Sequence, residues 1–137
     1  MTRAMMAELL YRYDGAEPVV EAHGFTDIPE GAYYHDALSW GVSMGILNGV
    51  GDGLYAPDKL VTRQELAKVL ACYLDLQHQQ AAVEFSDSAA IAAWAQESVQ
   101  DVSAAGLMNG SDGRFRPGDP VTRAEIATLL QRMDEMK

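Results

Sequence analysis

The 137-residue chain is the size of one ordinary domain and is 48% apolar, enough to bury a core, which excludes intrinsic disorder. Ten basic against twenty acidic residues leave a formal charge of −10, which repels phosphate backbones and anionic bilayers, so nucleic acid is not an expected partner. No apolar run approaches the ~18 residues of a membrane span, and membrane insertion is not expected. Met1-Thr2-Arg3-Ala4 opens a helical pattern without the regions of a signal peptide, so this fragment is read as soluble and leaderless. The single Cys72 allows neither an internal disulfide nor a cysteine-based zinc site, and it reads as a partly exposed bystander.

The first predicted element is a helix opened by Thr2-Arg3, with Met6, Leu9, Leu10 and Tyr13 on one face. Phe25-Thr26-Asp27 follows, then a helix over roughly 31–45 that Gly45 ends. Asn48-Gly49 and Asp52-Gly53 are turn chemistry, and in Tyr55-Ala56-Pro57 the proline blocks helix while the aromatic ring turns inward. A helix then starts at Thr62-Arg63, with Leu66, Val69, Leu70 and Tyr73 on its apolar face. The same order recurs roughly 60 residues on: Phe85-Ser86-Asp87, a helix over roughly 89–105, Gly106 and Asn109-Gly110, Asp112-Gly113, Phe115-Arg116-Pro117, and a helix from Thr122-Arg123 carrying Ile126, Leu129, Leu130 and Met133. The chain therefore reads as all-α tandem helix-loop-helix repeats, divided at 1–20 (the second helix of a truncated first repeat), 21–80 and 81–137.

Thr62 and Thr122 are N-caps of the form Thr-x-x-Glu, in which the hydroxyl takes a backbone N–H and Glu65 or Glu125 reaches back. In the first repeat Met5 stands where that glutamate belongs. Arg3, Arg63 and Arg123 each occupy the first helical position, where the helix dipole disfavours a cation. Two readings fit: an anion held there by free N–H groups and a guanidinium, or pairing with an acid that positions adjacent repeats. Tyr33 and Trp94 align with each other and offer a face for a sugar ring or bulk for core packing, whereas Trp40 reads as structural. Gly49 and Gly110 allow close approach of a ligand to backbone, although a turn role suffices. The loops holding Asp52 and Asp112 lack the ligand pattern of a calcium hand, and His23, His35 and His78 have no metal spacing and read as exposed surface. No metal, no cofactor and no catalytic constellation is expected.

At these motifs the chain resembles the surface-layer homology family, from Phe-x-Asp through Gly-Ile/Leu-x-Asn-Gly and Asp-Gly to Thr-Arg-Ala-Glu. The resemblance implies a pseudo-threefold helical bundle whose grooves between repeats anchor bacterial surface proteins to a secondary cell-wall polysaccharide, commonly pyruvylated. It makes Arg3, Arg63, Arg123, Glu65, Glu125, Tyr33, Trp94, Gly49 and Gly110 the candidate glycan-binding residues, a pyruvyl carboxylate suiting the arginines. It implies an extracellular, cell-wall or S-layer location. A protein-interaction or oligomerisation module is the alternative, and an enzyme is not expected. Two departures stand out. The first repeat lacks its first helix, so that Met6, Leu9 and Leu10 are expected to be uncovered and to drive self-association. Gln64 replaces alanine at a first-turn position read as exposed.

Overall fold

The computed structural model describes residues 1–76 and 84–136. It is all-α, with helices α1 (Arg3–Asp14), α2 (His35–Ser43), α3 (Arg63–Tyr73), α4 (Gln96–Ala104) and α5 (Arg123–Glu135). Two single 3₁₀ turns, Ser88–Ala90 and Ala93–Ala95, precede α4, and the described residues contain isolated backbone bridges but no strand. The chain divides into two compact units, Met1–Val61 and Thr62–Lys137. His78 lies outside the described residues.

Local chemistry sets the helix starts. Thr62 and Thr122 accept from the N–H of Glu65 and Glu125, and each glutamate carboxylate accepts in return from the threonine N–H at 3.2 Å. At α1 only half of this exchange forms: Thr2 Oγ1 accepts the Met5 N–H at 3.1 Å, and a thioether cannot return the bond.

The first helix of each repeat is shorter than the expected 31–45 and 89–105. Gly31, at φ 79°, interrupts the chain before α2, while Ile91 and Ala92 are extended before α4. Glutamines hold that extended stretch: Gln64 Oε1 accepts the Ala92 N–H at 2.9 Å, and Gln96 Nε2 donates to the Ile91 carbonyl at 2.9 Å. Gln64 is accordingly half-buried and structural, where the sequence suggests an exposed position. At their C-termini both helices end at left-handed glycines, Gly45 (φ 75°) and Gly106 (φ 77°).

Within the first unit α1 packs on α2, and within the second α3 packs on α4. The Thr-Arg helices α1 and α3 thus each pack on the first helix of the repeat that follows, and each compact unit straddles a boundary between sequence repeats. This corrects the expected apolar gap on α1. Met6 and Leu10 are buried and Leu9 is half-buried, because the helix that covers them comes from the next repeat. Trp40 of α2 is buried with them, 5.6 Å from the Tyr11 ring. In the second unit Leu66 and Leu70 of α3 and Val99 and Val102 of α4 are fully buried, each side chain contributing about 1.5–3 kcal/mol.

Candidate functional site

The turn after each first helix is built from the repeated Phe-x-Asp and Asp-Gly blocks. Asp52 (φ 55°) and Gly53 (φ 76°), like Asp112 (φ 52°) and Gly113 (φ 73°), form tight turns with two consecutive left-handed residues, the conformation Asp-Gly favours. Asp27 then accepts the N–H groups of Tyr55 and Ala56 at 2.9 and 2.8 Å. Asp87 does the same for Phe115 and Arg116, both at 2.9 Å. These carboxylates hold Ala56 (φ 57°) and Arg116 (φ 60°) in a backbone conformation that non-glycine residues rarely adopt. Burial works against ionisation of Asp27 and Asp87, but the backbone N–H bonds outweigh it, and both carboxyls titrate below their ordinary value. Phe25 packs 5.1 Å from Tyr55 and Phe85 packs 5.3 Å from Phe115, leaving Tyr55 and Phe115 fully buried.

Gly49 and Gly110 are required by packing inside this turn. A Cβ on Gly49 would lie 2.6 Å from the Leu54 carbonyl oxygen, and one on Gly110 would lie 2.2 Å from that of Arg114.

The arginines of the first two Thr-Arg motifs grip the turn of the following repeat. Arg3 donates through Nε to the Tyr55 carbonyl at 2.8 Å and through Nη2 to the Asn48 carbonyl at 2.7 Å, with its guanidinium 4.3 Å above the Tyr55 ring. Arg63 donates through Nε to the Phe115 carbonyl at 2.7 Å, pairs through Nη1 with Glu125, and lies over the Phe115 ring. Both are buried. Anion binding by free N–H groups is ruled out at the starts of α1 and α3. The Arg3 and Ala4 N–H groups bond the Lys59 and Pro57 carbonyls, and those of Arg63 and Gln64 bond the Asp119 and Pro117 carbonyls. Arg123 differs: it is exposed and makes no hydrogen bond or ion pair among the described residues.

The second unit contains an open groove of about 280 Å³. Arg63, Arg116 and Arg132 line it, with Glu125, Asn109 and Gly110, against apolar walls that include Leu66, Leu107 and Leu129. Burial lowers the pKa of Arg63, and the nearby Arg116 charge lowers it further, although Asp119 and Asp87 oppose both effects. Of the candidates read from sequence, Arg63, Glu125 and Gly110 meet in this groove, while Glu65, Trp94 and Arg123 of the same unit do not line it. In the first unit Arg3 and Gly49 belong to the Tyr55 turn. Tyr33 and Trp94 are 62% and 50% exposed, so neither fills a core. Lys68 Nζ lies 5.4 Å from the Trp94 ring centre.

Sequence reasoning found the Phe-x-Asp blocks but not their job, because the N–H groups they hold lie 28 and 29 residues away. Arg116 and Arg132 were missed altogether: no counterpart in the preceding repeat points to them, since Ala56 and Cys72 occupy those positions. Among the described residues no cluster of three metal-ligating side chains occurs, and no helix is long and apolar enough to cross a membrane.

The sequence model of the S-layer homology domain matches residues 24–67 and 84–127. The surface-layer 125 kDa protein of Lysinibacillus sphaericus is 32% identical over 123 residues, covering 85% of this chain and 10% of that protein. The S-layer protein sap of Bacillus anthracis is 30% identical over 132 residues, covering 95% of this chain and 15% of that protein. An endoglucanase of Bacillus sp. strain KSM-635 is 30% identical over 141 residues, covering 97% of this chain and 15% of the enzyme. The shared segment is thus a small part of surface proteins and of an enzyme alike, and it carries the turns and Thr-Arg helices described above. The chain belongs to the S-layer homology domain family.

Proposed function

We propose that the chain is a non-covalent anchoring module that holds a bacterial protein at the cell surface by binding an anionic secondary cell-wall polysaccharide. One observation carries this reading: a chain of net charge −10 concentrates three arginines against one glutamate around a groove with apolar walls. A saccharide presents apolar ring faces together with polar edges, and a carboxylate on it matches a guanidinium fork. The names of the relatives support a surface location, and their much greater length supports a passenger that supplies any activity. A pyruvyl group as the source of the carboxylate, repeats at 1–20, 21–80 and 81–137, and their pseudo-threefold assembly belong to the same proposal and rest on the family resemblance. Arg123, Tyr33 and Trp94, exposed at the surface, are the further glycan contacts it invokes.

The test is co-sedimentation with purified cell-wall sacculi, followed by calorimetric titration with released polymer. Binding that disappears when the polymer, or its acidic substituents, are removed is the expected result. Sedimentation that persists on polymer-free sacculi would instead favour a protein partner and overturn the reading.

A further inference from the structure

The Phe-x-Asp block of the first unit is held by a histidine. His23, read from sequence as exposed surface, is half-buried, and its Nδ1 accepts the Phe25 N–H at 2.9 Å. Its ring stacks on that of Phe25, with centroids 5.6 Å apart and planes 15° from parallel, and lies edge-on to His35 of α2 at 5.0 Å. An imidazole nitrogen accepts a hydrogen bond only while it carries no proton, and in the imidazolium both nitrogens are donors. Protonated His23 therefore loses the Phe25 N–H, which is left facing a second donor. His35, with Asp36 3.5 Å from its Nδ1, adds a like charge when it protonates in turn.

What Phe25 supports is the turn that Arg3 grips. Its ring packs 5.1 Å from Tyr55, the adjacent Thr26 N–H bonds the Gly53 carbonyl at 2.9 Å, and Asp27 clamps the Tyr55 and Ala56 N–H groups. The second unit repeats this turn without the histidines: Val83 and Gln96 stand in the sequence where the first unit has His23 and His35, and neither titrates. Its matching Ser86 N–H bonds the Gly113 carbonyl at 2.8 Å. One turn is thus built twice, and only the first copy has a titratable support.

We propose that His23 is an acid-sensitive latch on the Phe25 turn of the first unit, closed while the imidazole is neutral and released on protonation, with no counterpart in the second unit. The groups that bear on its charge are His35 from α2 and Asp27 from its own loop. Burial first, and then His35, hold the His23 pKa below its ordinary value of 6.5, while Asp27 opposes them. Folding thus favours the neutral ring, so the latch is fully closed above pH 6.5 and opens as pH falls through the lower folded-state value. The clamping carboxylates Asp27 and Asp87 titrate below 3.8, so they remain ionised while the histidine changes state. Mild acid therefore loosens the turn held by Arg3 and leaves the turn held by Arg63 unchanged.

The experiment follows amide exchange of the whole chain by NMR from about pH 7.5 to about pH 5, the range in which an imidazole titrates, with rates expressed as protection factors. Protection at Phe25 and Thr26 is expected to fall about tenfold, in keeping with the loss of one hydrogen bond, while protection at Ser86 stays unchanged. Equal responses of Thr26 and Ser86 would overturn the proposal. His23→Asn keeps an acceptor oxygen that does not titrate in this range, so Thr26 protection in that variant should become independent of pH. A fall as large as in the unaltered chain would overturn the proposal equally. The imidazole resonances of the unaltered chain supply a measure that needs no variant to fold. His23 should show an unprotonated Nδ1 at neutral pH and a titration midpoint below 6.5, and His35→Gln should raise that midpoint by removing the like charge. A midpoint at or above 6.5 in the unaltered chain would mean that folding does not favour the neutral ring, and the latch would be lost as an idea.

Discussion

In the first unit Arg3 gives its Nε and Nη2 to two loop carbonyls, whereas in the second Arg63 gives Nε to one carbonyl and Nη1 to Glu125. The helix, the turn and the clamping aspartate are otherwise the same in kind, down to a left-handed residue before each proline. The comparison teaches that the Thr-Arg motif is first a device for joining a helix to the turn of the next repeat. Surplus positive charge is a separate addition, and in the groove of the second unit it comes from Arg116 and Arg132.

The largest test of that shared turn is alanine at its glycines. Gly110→Ala combines a 2.2 Å clash with backbone and a φ of 71°, so a loss of about 3 kcal/mol or more is expected in denaturant melts. Gly49→Ala, at 2.6 Å and without a positive φ, should lose less. Equal, small losses would show that the turn relaxes freely and that these glycines do not define it.

Next comes the motif arginine itself. Arg63→Ala strips partners from the Phe115 carbonyl and the partly buried Glu125, for a loss of about 2–3 kcal/mol. Arg123→Ala, at the same motif position but exposed, should change stability by under ~0.5 kcal/mol. Similar melting temperatures for the two variants would mean that the buried bonds of Arg63 contribute nothing.

Asp87→Ala and Asp27→Ala should each cost about 2 kcal/mol, allowing for the partial exposure that screens both carboxylates. Their titration adds a pH signature. The folded-state pKa of each lies below its ordinary value, so this stabilisation is fully present above pH 3.8 and is lost as pH falls through the folded-state value. Acid unfolding followed by circular dichroism should therefore show a smaller drop below pH 3.8 in the alanine variants than in the wild type.

Capping sharpens the contrast between α1 and the two fully capped helices. Thr122→Ala should cost about 1 kcal/mol, and unchanged stability would place the start of α5 elsewhere. Smallest of all, Met5→Glu should stabilise the chain by about 0.5 kcal/mol through completion of the capping box of α1. No gain would show that the α1 start is limited by something other than the missing carboxylate.

The sequence by itself determined whatever is settled within a few residues. A threonine hydroxyl meets its own helix three positions on, and Asp-Gly and Gly45 or Gly106 set their own backbone angles, so caps, turns and helix ends were legible at Thr62, Thr122, Asp52, Asp112 and the two glycines. The starts of α2 and α4 were less so, because Ile91 and Ala92 are held extended by Gln64, which belongs to another element. Tertiary structure alone decided which helix covers which, since an apolar stripe on α1 specifies burial but not the partner that provides it. It also separated three arginines that share one motif. Arg3 and Arg63 are buried because a following turn offers carbonyls to their guanidinium groups, and Arg123 is exposed where no such carbonyl meets it among the described residues. The groove followed the same rule. Arg63, Arg116 and Arg132 are scattered along the second unit, and only the packed turn between α4 and α5 brings their charges to one place.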